Sequence, residues 1–149
     1  LCMMSVSYVN DPRIVGENDN LISVNSALSV DLTGQICSEN IGFHQFSGTG
    51  GQLDFVRGAR YSKGGKSFIA LLSTAETETG RVSKINCALP PGSVVTTPRT
   101  DTMYVVTEYG IADIWGKNIS ERVKLMISIA HPDFRDQLME EARENKLLQ

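Results

Sequence analysis

The chain has 149 residues, 41% of them hydrophobic and 21% charged, which allows one domain with a real core and is ordinary for a globular protein. A formal net charge of −3 argues against nucleic-acid binding, whose affinity comes from clustered Lys and Arg, and no run approaches the roughly 18 apolar residues of a membrane span. Cys2, Cys37 and Cys87 are widely spaced with no C-x-x-C pair, and His44 stands far from His131, so reduced thiols in a cytoplasmic protein are expected and neither a disulfide frame nor a metal site is.

Leu1 is not an initiator methionine, and Leu1-Cys2-Met3-Met4 matches neither a signal nor a transit peptide, so the chain reads as a fragment of a longer protein. Val6-Ser7-Tyr8-Val9 alternates apolar and polar residues and predicts a short strand. Asp11 then caps, and Pro12 opens, a short helix that ends near Gly16. Asn10 falls at the strand end, where an amide either binds a ligand carboxylate or, more commonly, holds the turn. Leu21 to Val30 is strand-like, and Thr33-Gly34 turns it into Gln35-Ile36-Cys37-Ser38 as a β-hairpin.

Ile41 to Phe46 leads into Ser47-Gly48-Thr49-Gly50-Gly51, a glycine turn followed by a helical start in which Leu53, Phe55, Val56 and Ala59 form a partly apolar face. Glycines there bring bare N–H groups close to a ligand, and a helix opening behind them aims its positive dipole end at an oxyanion, thioester carbonyl or phosphate. The turn lacks the third glycine of a dinucleotide fingerprint, and Gly65-Lys66-Ser67 lacks the first glycine of a P-loop. A plain tight turn is an equally good reading of the glycines alone.

Ser67 to Leu72 is a near-continuous apolar run, as in a strand buried on both faces. Thr74 to Gly80, with Glu76 and Glu78, reads as a solvated loop; Val82 to Cys87, Val94 to Thr97 and Met103 to Thr107 read as strands. After Glu108-Tyr109-Gly110 the pattern becomes helical. Asn118 and Glu121 have capping-box spacing, Ile119, Val123, Met126, Ile127 and Ala130 follow, and His131-Pro132 starts a second helix with Phe134, Leu138 and Ala142 as its stripe. The fold class is α/β, an open mixed sheet with flanking helices.

Five ordered segments carry a resemblance: Val9-Asn10-Asp11-Pro12, Val30-Asp31-Leu32-Thr33-Gly34-Gln35, Ser47 to Phe55, Val105 to Ala112, and Ile129-Ala130-His131-Pro132-Asp133-Phe134-Arg135. Together they resemble the C-terminal part of the acetyl-CoA hydrolase/transferase family, and are most similar to its 4-hydroxybutyrate and butyrate:acetate CoA-transferases. The resemblance implies a CoA-transferase-like C-terminal domain over residues 1–149. It also implies acyl-CoA and a small carboxylate as substrates, no metal, an N-terminal half of the same polypeptide as partner, and a homo-oligomer.

It implies too that a glutamate attacks the thioester and then carries CoA, with an oxyanion site for each tetrahedral intermediate. On this chain Gly51 matches the oxyanion and CoA-contacting glycine, Ser47 and Gly50 lie in the same CoA-binding loop, and Asn10 matches an asparagine that holds a carboxylate. The nucleophilic glutamate belongs to a motif before Val9-Asn10 that this chain does not include, and Glu108 is a structural carboxylate in another motif. Relatives carry a CoA-contacting lysine where this chain has Glu76 and Glu78, leaving Arg81 or Lys84 to compensate. An acyl-CoA hydrolase and a noncatalytic CoA-binding module remain open alternatives.

Overall fold

Two short helices, α1 (Val6–Val9) and α2 (Pro12–Gly16), lead into strands β1 (Ile22–Ser26), β2 (Ser29–Asp31), β3 (Ile36–Cys37), β4 (Asn40–Ile41) and β5 (His44–Gln45). Helix α3 (Gln52–Tyr61) follows, then β6 (Lys66–Ala70), β7 (Thr74–Thr77), β8 (Gly80–Ser83), β9 (Ile85–Asn86), β10 (Tyr104–Thr107) and β11 (Gly110–Asp113). Helices α4 (Ile119–Ser128) and α5 (Pro132–Glu144) complete the computed structural model, which describes residues 2–148.

The main sheet has the order β1-β6-β10-β11, with β1, β6 and β10 parallel and β11 antiparallel to β10. Parallel neighbours require a crossover, and α3 packs against β1 and β6 between them. Alternation along the strands turns Ser67, Ile69, Val105, Thr107 and Ala112 inward, where all are buried. Against that face lies one core of Val30, Leu32, Ile36, Val56, Ile85, Ile114, Val123 and Met126, with Leu138 and Ala142 of α5 closing it. Burying each large member contributes about 1.5–3 kcal/mol.

The β2–β3 hairpin forms as expected, pairing Ser29 with Cys37 and Val30 with Ile36. Its turn is held by the buried Asp31 carboxylate, which accepts from Thr33 N (2.9 Å), Thr33 Oγ1 (2.8 Å), Gln35 N (3.0 Å) and Gln35 Nε2 (2.6 Å). The capping box on α4 is present, with Asn118 Oδ1 accepting from Glu121 N and Glu121 Oε2 from Asn118 N. Buried Arg122 braces the same turn from α4, donating to the carbonyls of Thr33 (3.0 Å), Arg99 (2.7 Å) and Lys117 (3.1 Å).

Five expectations are corrected. Val6–Val9 is helix α1, not a strand; the N–H groups of Val9 and Asn10 bond back to Ser5 O and Val6 O, which a lone strand could not provide. Leu21–Val30 is two strands, because β1 pairs with β6 while β2 pairs with β3 and β9. Thr74–Gly80 is not a loop but most of the β7–β8 hairpin, exposed at Glu76 and pinned by the Glu76–Arg81 cross-strand pair at 2.8 Å. Val94–Thr97 forms no strand; only Thr97 bridges to Ile36, which accepts from the N–H groups of both Thr96 and Thr97. Glu108-Tyr109 is a two-residue hairpin turn, so β11 precedes the helices, with Gly110 supplying a φ of +142°.

Candidate active-site face at the glycine turn

Two bare glycines set the geometry of this face. A Cβ on Gly58 of α3 would overlap the Val15 side chain of α2, and one on Gly16 of α2 would lie 2.7 Å from Tyr61 Cβ. Without those carbons the two helices pack backbone to backbone. Asp11 fixes the start of α2 by accepting from Arg13 N at 2.9 Å, with Pro12 in the first turn.

That seating carries Asn10 onto Gly51. Asn10 is the C-cap of α1, its N–H bonded to Val6 O at 2.9 Å, and Gly51 is the N-cap of α3. A Cβ on Gly51 would lie 2.5 Å from Asn10 Nδ2 and 3.6 Å from its Cγ, so the carboxamide rests in the space that the missing side chain leaves. Asn10 therefore sits at a helix end, not the expected strand end, and it lines an open cavity of about 560 Å³ with Val6, Asp11, Arg13, Arg57 and Tyr61.

Among the described residues no side chain caps α3, so the N–H groups of its first turn are open at Gly51, while Gly50 turns the chain with a φ of +57°. Ser47 is exposed; its N–H donates to Glu39 O at 3.1 Å and its hydroxyl to Gly48 O at 3.1 Å. Thus Ser47, Gly50 and Gly51 share one loop, and Asn10 joins Gly51 from the other side.

Residues that sequence alone did not single out hold the loop. Glu39 is buried, accepts from Thr96 Oγ1 at 3.1 Å, and through its backbone oxygen receives both Phe46 N and Ser47 N. Gln52 Nε2 donates to Thr97 Oγ1 at 3.1 Å, tying the first turn of α3 to the same segment. Buried Asp101 receives Arg57 at 3.1 Å and Arg60 at 3.5 Å. Its hydrogen bond raises the Arg57 pKa and fixes that guanidinium at the cavity rim. The side-chain pairs among these lie 41 to 57 residues apart in sequence, beyond any local pattern.

Glu108, Arg81 and Lys84, which the resemblance brings up, each have a hydrogen-bond partner. Glu108 accepts from Ser73 N at 2.8 Å and Ser73 Oγ at 2.6 Å. Burial alone pushes its pKa up, but those bonds and its own backbone amide outweigh that and leave it lowered. Arg81 binds Glu76, and Lys84 donates to Ala27 O at 3.1 Å with its pKa drawn down by burial. Among the described residues no group of three or more His, Cys, Asp or Glu is placed to hold a metal, and no helix is long and apolar enough to cross a membrane. Open amides beside a carboxamide can bind a carbonyl oxygen or oxyanion.

Comparison with known proteins identifies the family. Residues 1–142 match the acetyl-CoA hydrolase/transferase C-terminal domain. The chain is 54% identical over 137 residues to the 4-hydroxybutyrate coenzyme A transferase of Clostridium kluyveri, covering 92% of this chain and 32% of that protein. It is 49% identical over 148 residues to the butyryl-CoA:acetate CoA-transferase of Anaerostipes caccae, covering 98% and 33%. The crystal structure of RipA from Yersinia pestis superposes with a TM-score of 0.87 at 50% identity, over 96% of this chain and 32% of that one. The chain thus spans about a third of the length of the curated relatives it matches. It belongs to the acetyl-CoA hydrolase/transferase family, as the C-terminal domain of that family.

Proposed function

We propose that the polypeptide carrying this chain is a CoA-transferase that moves CoA from butyryl-CoA or 4-hydroxybutyryl-CoA to a carboxylate such as acetate. Supporting this is the seating of the Asn10 carboxamide on Gly51 at the open start of α3. In this reading a glutamate outside residues 1–149 attacks the thioester, the C–S bond of the tetrahedral adduct breaks, and CoA leaves as thiolate, generating an acyl-glutamyl anhydride. The thiolate then attacks the glutamyl carbonyl, freeing the carboxylate and leaving a glutamyl-CoA thioester, which the acceptor carboxylate reopens in the reverse order. Each addition puts negative charge on a carbonyl oxygen. In this reading the Gly51 N–H stabilises that oxygen, while Asn10 orients the carboxylate partner. One such donor is worth about 3 kcal/mol in the transition state.

Ser47 and Gly50 shape the CoA-facing loop; Arg81 pairs with Glu76 at the surface and Lys84 donates to Ala27 O. Acyl-CoA and a small carboxylate are the substrates, and the setting is a cytoplasmic homo-oligomer. The family's description joins hydrolase to transferase, so water is the competing acceptor. Turnover of butyryl-CoA by the full-length protein with and without acetate separates the two. Acetate-dependent formation of acetyl-CoA is expected; equal CoA release without acetate would favour the hydrolase.

A further inference from the structure

Residues of the β4–β5 and β7–β8 hairpins line a second cavity, of about 390 Å³, which shares no lining residue with the cavity at Asn10. Leu28, Ile41, Ala75, Val82 and Pro90 give it apolar walls. At about 30 Å³ each it has room for about a dozen water-sized groups, in the range of small-molecule sites.

One cation stands in those walls. Lys84 is pinned through its backbone, its N–H donating to Ser73 O at 2.8 Å and its carbonyl accepting from Val30 N at 2.9 Å. An ammonium carries three donors, and among the described residues that of Lys84 makes one hydrogen bond, to Ala27 O at 3.1 Å. No carboxylate there pairs with it: both Glu108 oxygens accept from Ser73, and Glu76 takes Arg81. Burial draws the Lys84 pKa down, the mark of a charge with too little around it to replace water. A cation among apolar walls is completed by an anion, and the Ser29 hydroxyl in the same lining adds a neutral donor.

We infer that this cavity binds a short-chain monocarboxylate, its carboxylate on Lys84 Nζ and its alkyl chain against Leu28, Ile41, Ala75 and Val82. A single cation matches one negative charge, whereas a phosphate dianion calls for several charged donors. Apolar walls favour a longer chain over acetate, because each further buried CH₂ strengthens binding about fourfold. The inference stands on the cavity and its cation and not on the CoA-transfer reading, and its test contains no CoA, so the two fail separately.

The test uses the full-length protein without CoA and reads Lys84 itself. Lysines are acetylated with an N-hydroxysuccinimide ester while sodium hexanoate is titrated in, and each site is followed by peptide mass spectrometry. At saturating hexanoate Lys84 should react at least about tenfold more slowly, the worth of a hydrogen bond between charged groups, while exposed Lys63 and Lys124 keep their rates. Acetate and inorganic phosphate should need at least about tenfold higher concentration for the same protection. Val82→Trp, at a position 40% exposed, fills the cavity from the hairpin and should abolish protection while leaving Lys84 in place to report. Equilibrium dialysis of radiolabelled hexanoate should find one site fewer per chain in Lys84→Met. Unprotected Lys84 in the wild-type protein would overturn the inference whatever the variants do. So would equal protection by acetate or phosphate, protection that survives in a folded Val82→Trp protein, or undiminished stoichiometry in a folded Lys84→Met protein.

Discussion

Adding one carbon to Gly51 should separate catalysis from stability. The φ of Gly51 is −98°, which alanine adopts without strain, so Gly51→Ala meets no backbone penalty. Its Cβ would lie 2.5 Å from Asn10 Nδ2, whereas ordinary contact begins near 3.4 Å, so the carboxamide must move by about 1 Å. Asn10 is short and its amide faces an open cavity, so it yields readily and stability should change by less than about 1 kcal/mol. A catalytic group displaced by that distance loses on the order of 100-fold in rate. The assay is steady-state butyryl-CoA:acetate transfer by the full-length variant, with thermal melting alongside. In an Asn10→Ala background the same substitution should cost little more, because the clashing group is gone. Wild-type turnover by a folded Gly51→Ala enzyme, or full additivity with Asn10→Ala, would refute the coupling of these two residues.

Asn10→Ala alone should lower kcat with little change in Tm, since a hydrogen bond to a charged group is worth roughly 1.5–3 kcal/mol; an early melt with full activity would make it a capping residue only. Gly58→Ala gains about 1 kcal/mol of helix propensity but overpacks Val15 by about 1–3 kcal/mol, and by prising α2 from α3 it should reduce transfer as well. Val15→Ala added to Gly58→Ala should restore activity, and failure of that rescue would remove the α2–α3 seam from the positioning of Asn10. The Glu108 carboxyl is held below its ordinary 4.5, against burial, by the Ser73 hydroxyl and amide. A lowered folded-state value adds stability that is complete above the ordinary glutamate range and fades as pH falls through the lowered value. Glu108→Gln should therefore flatten the acid-side loss of Tm below about pH 4.5, and an unchanged slope would contradict it.

Local signals in the sequence were read well wherever a side chain acts on its neighbours. Asp11-Pro12 opening α2, the Asn118–Glu121 box, the Thr33-Gly34 turn and the glycine loop before α3 all formed as expected. Failures came where pairing is decided at a distance. Val6–Val9 alternates like a strand yet has no strand beside it, and Ile111 to Asp113 is a strand because β10 lies next to it. At the glycine turn, Gly51 and Asn10 were singled out through the family resemblance. Their contact was not, because it depends on Gly58 and Gly16, which look like unremarkable helix glycines until α2 is laid on α3. Glu39, Gln52 and Asp101 were silent for the same reason: each acts on residues far away in sequence.

The central claim is that this chain supplies the oxyanion glycine and its neighbouring carboxamide but not the nucleophile. The direct measurement is to incubate the full-length enzyme with butyryl-CoA, treat it with borohydride, and map the reduced carboxyl by peptide mass spectrometry. A thioester on glutamate is reduced to an alcohol, while an ordinary carboxylate is untouched. The account predicts one substrate-dependent reduced glutamate, located outside residues 1–149. A reduced carboxyl within residues 1–149, with Glu108 the first position to inspect, would contradict it.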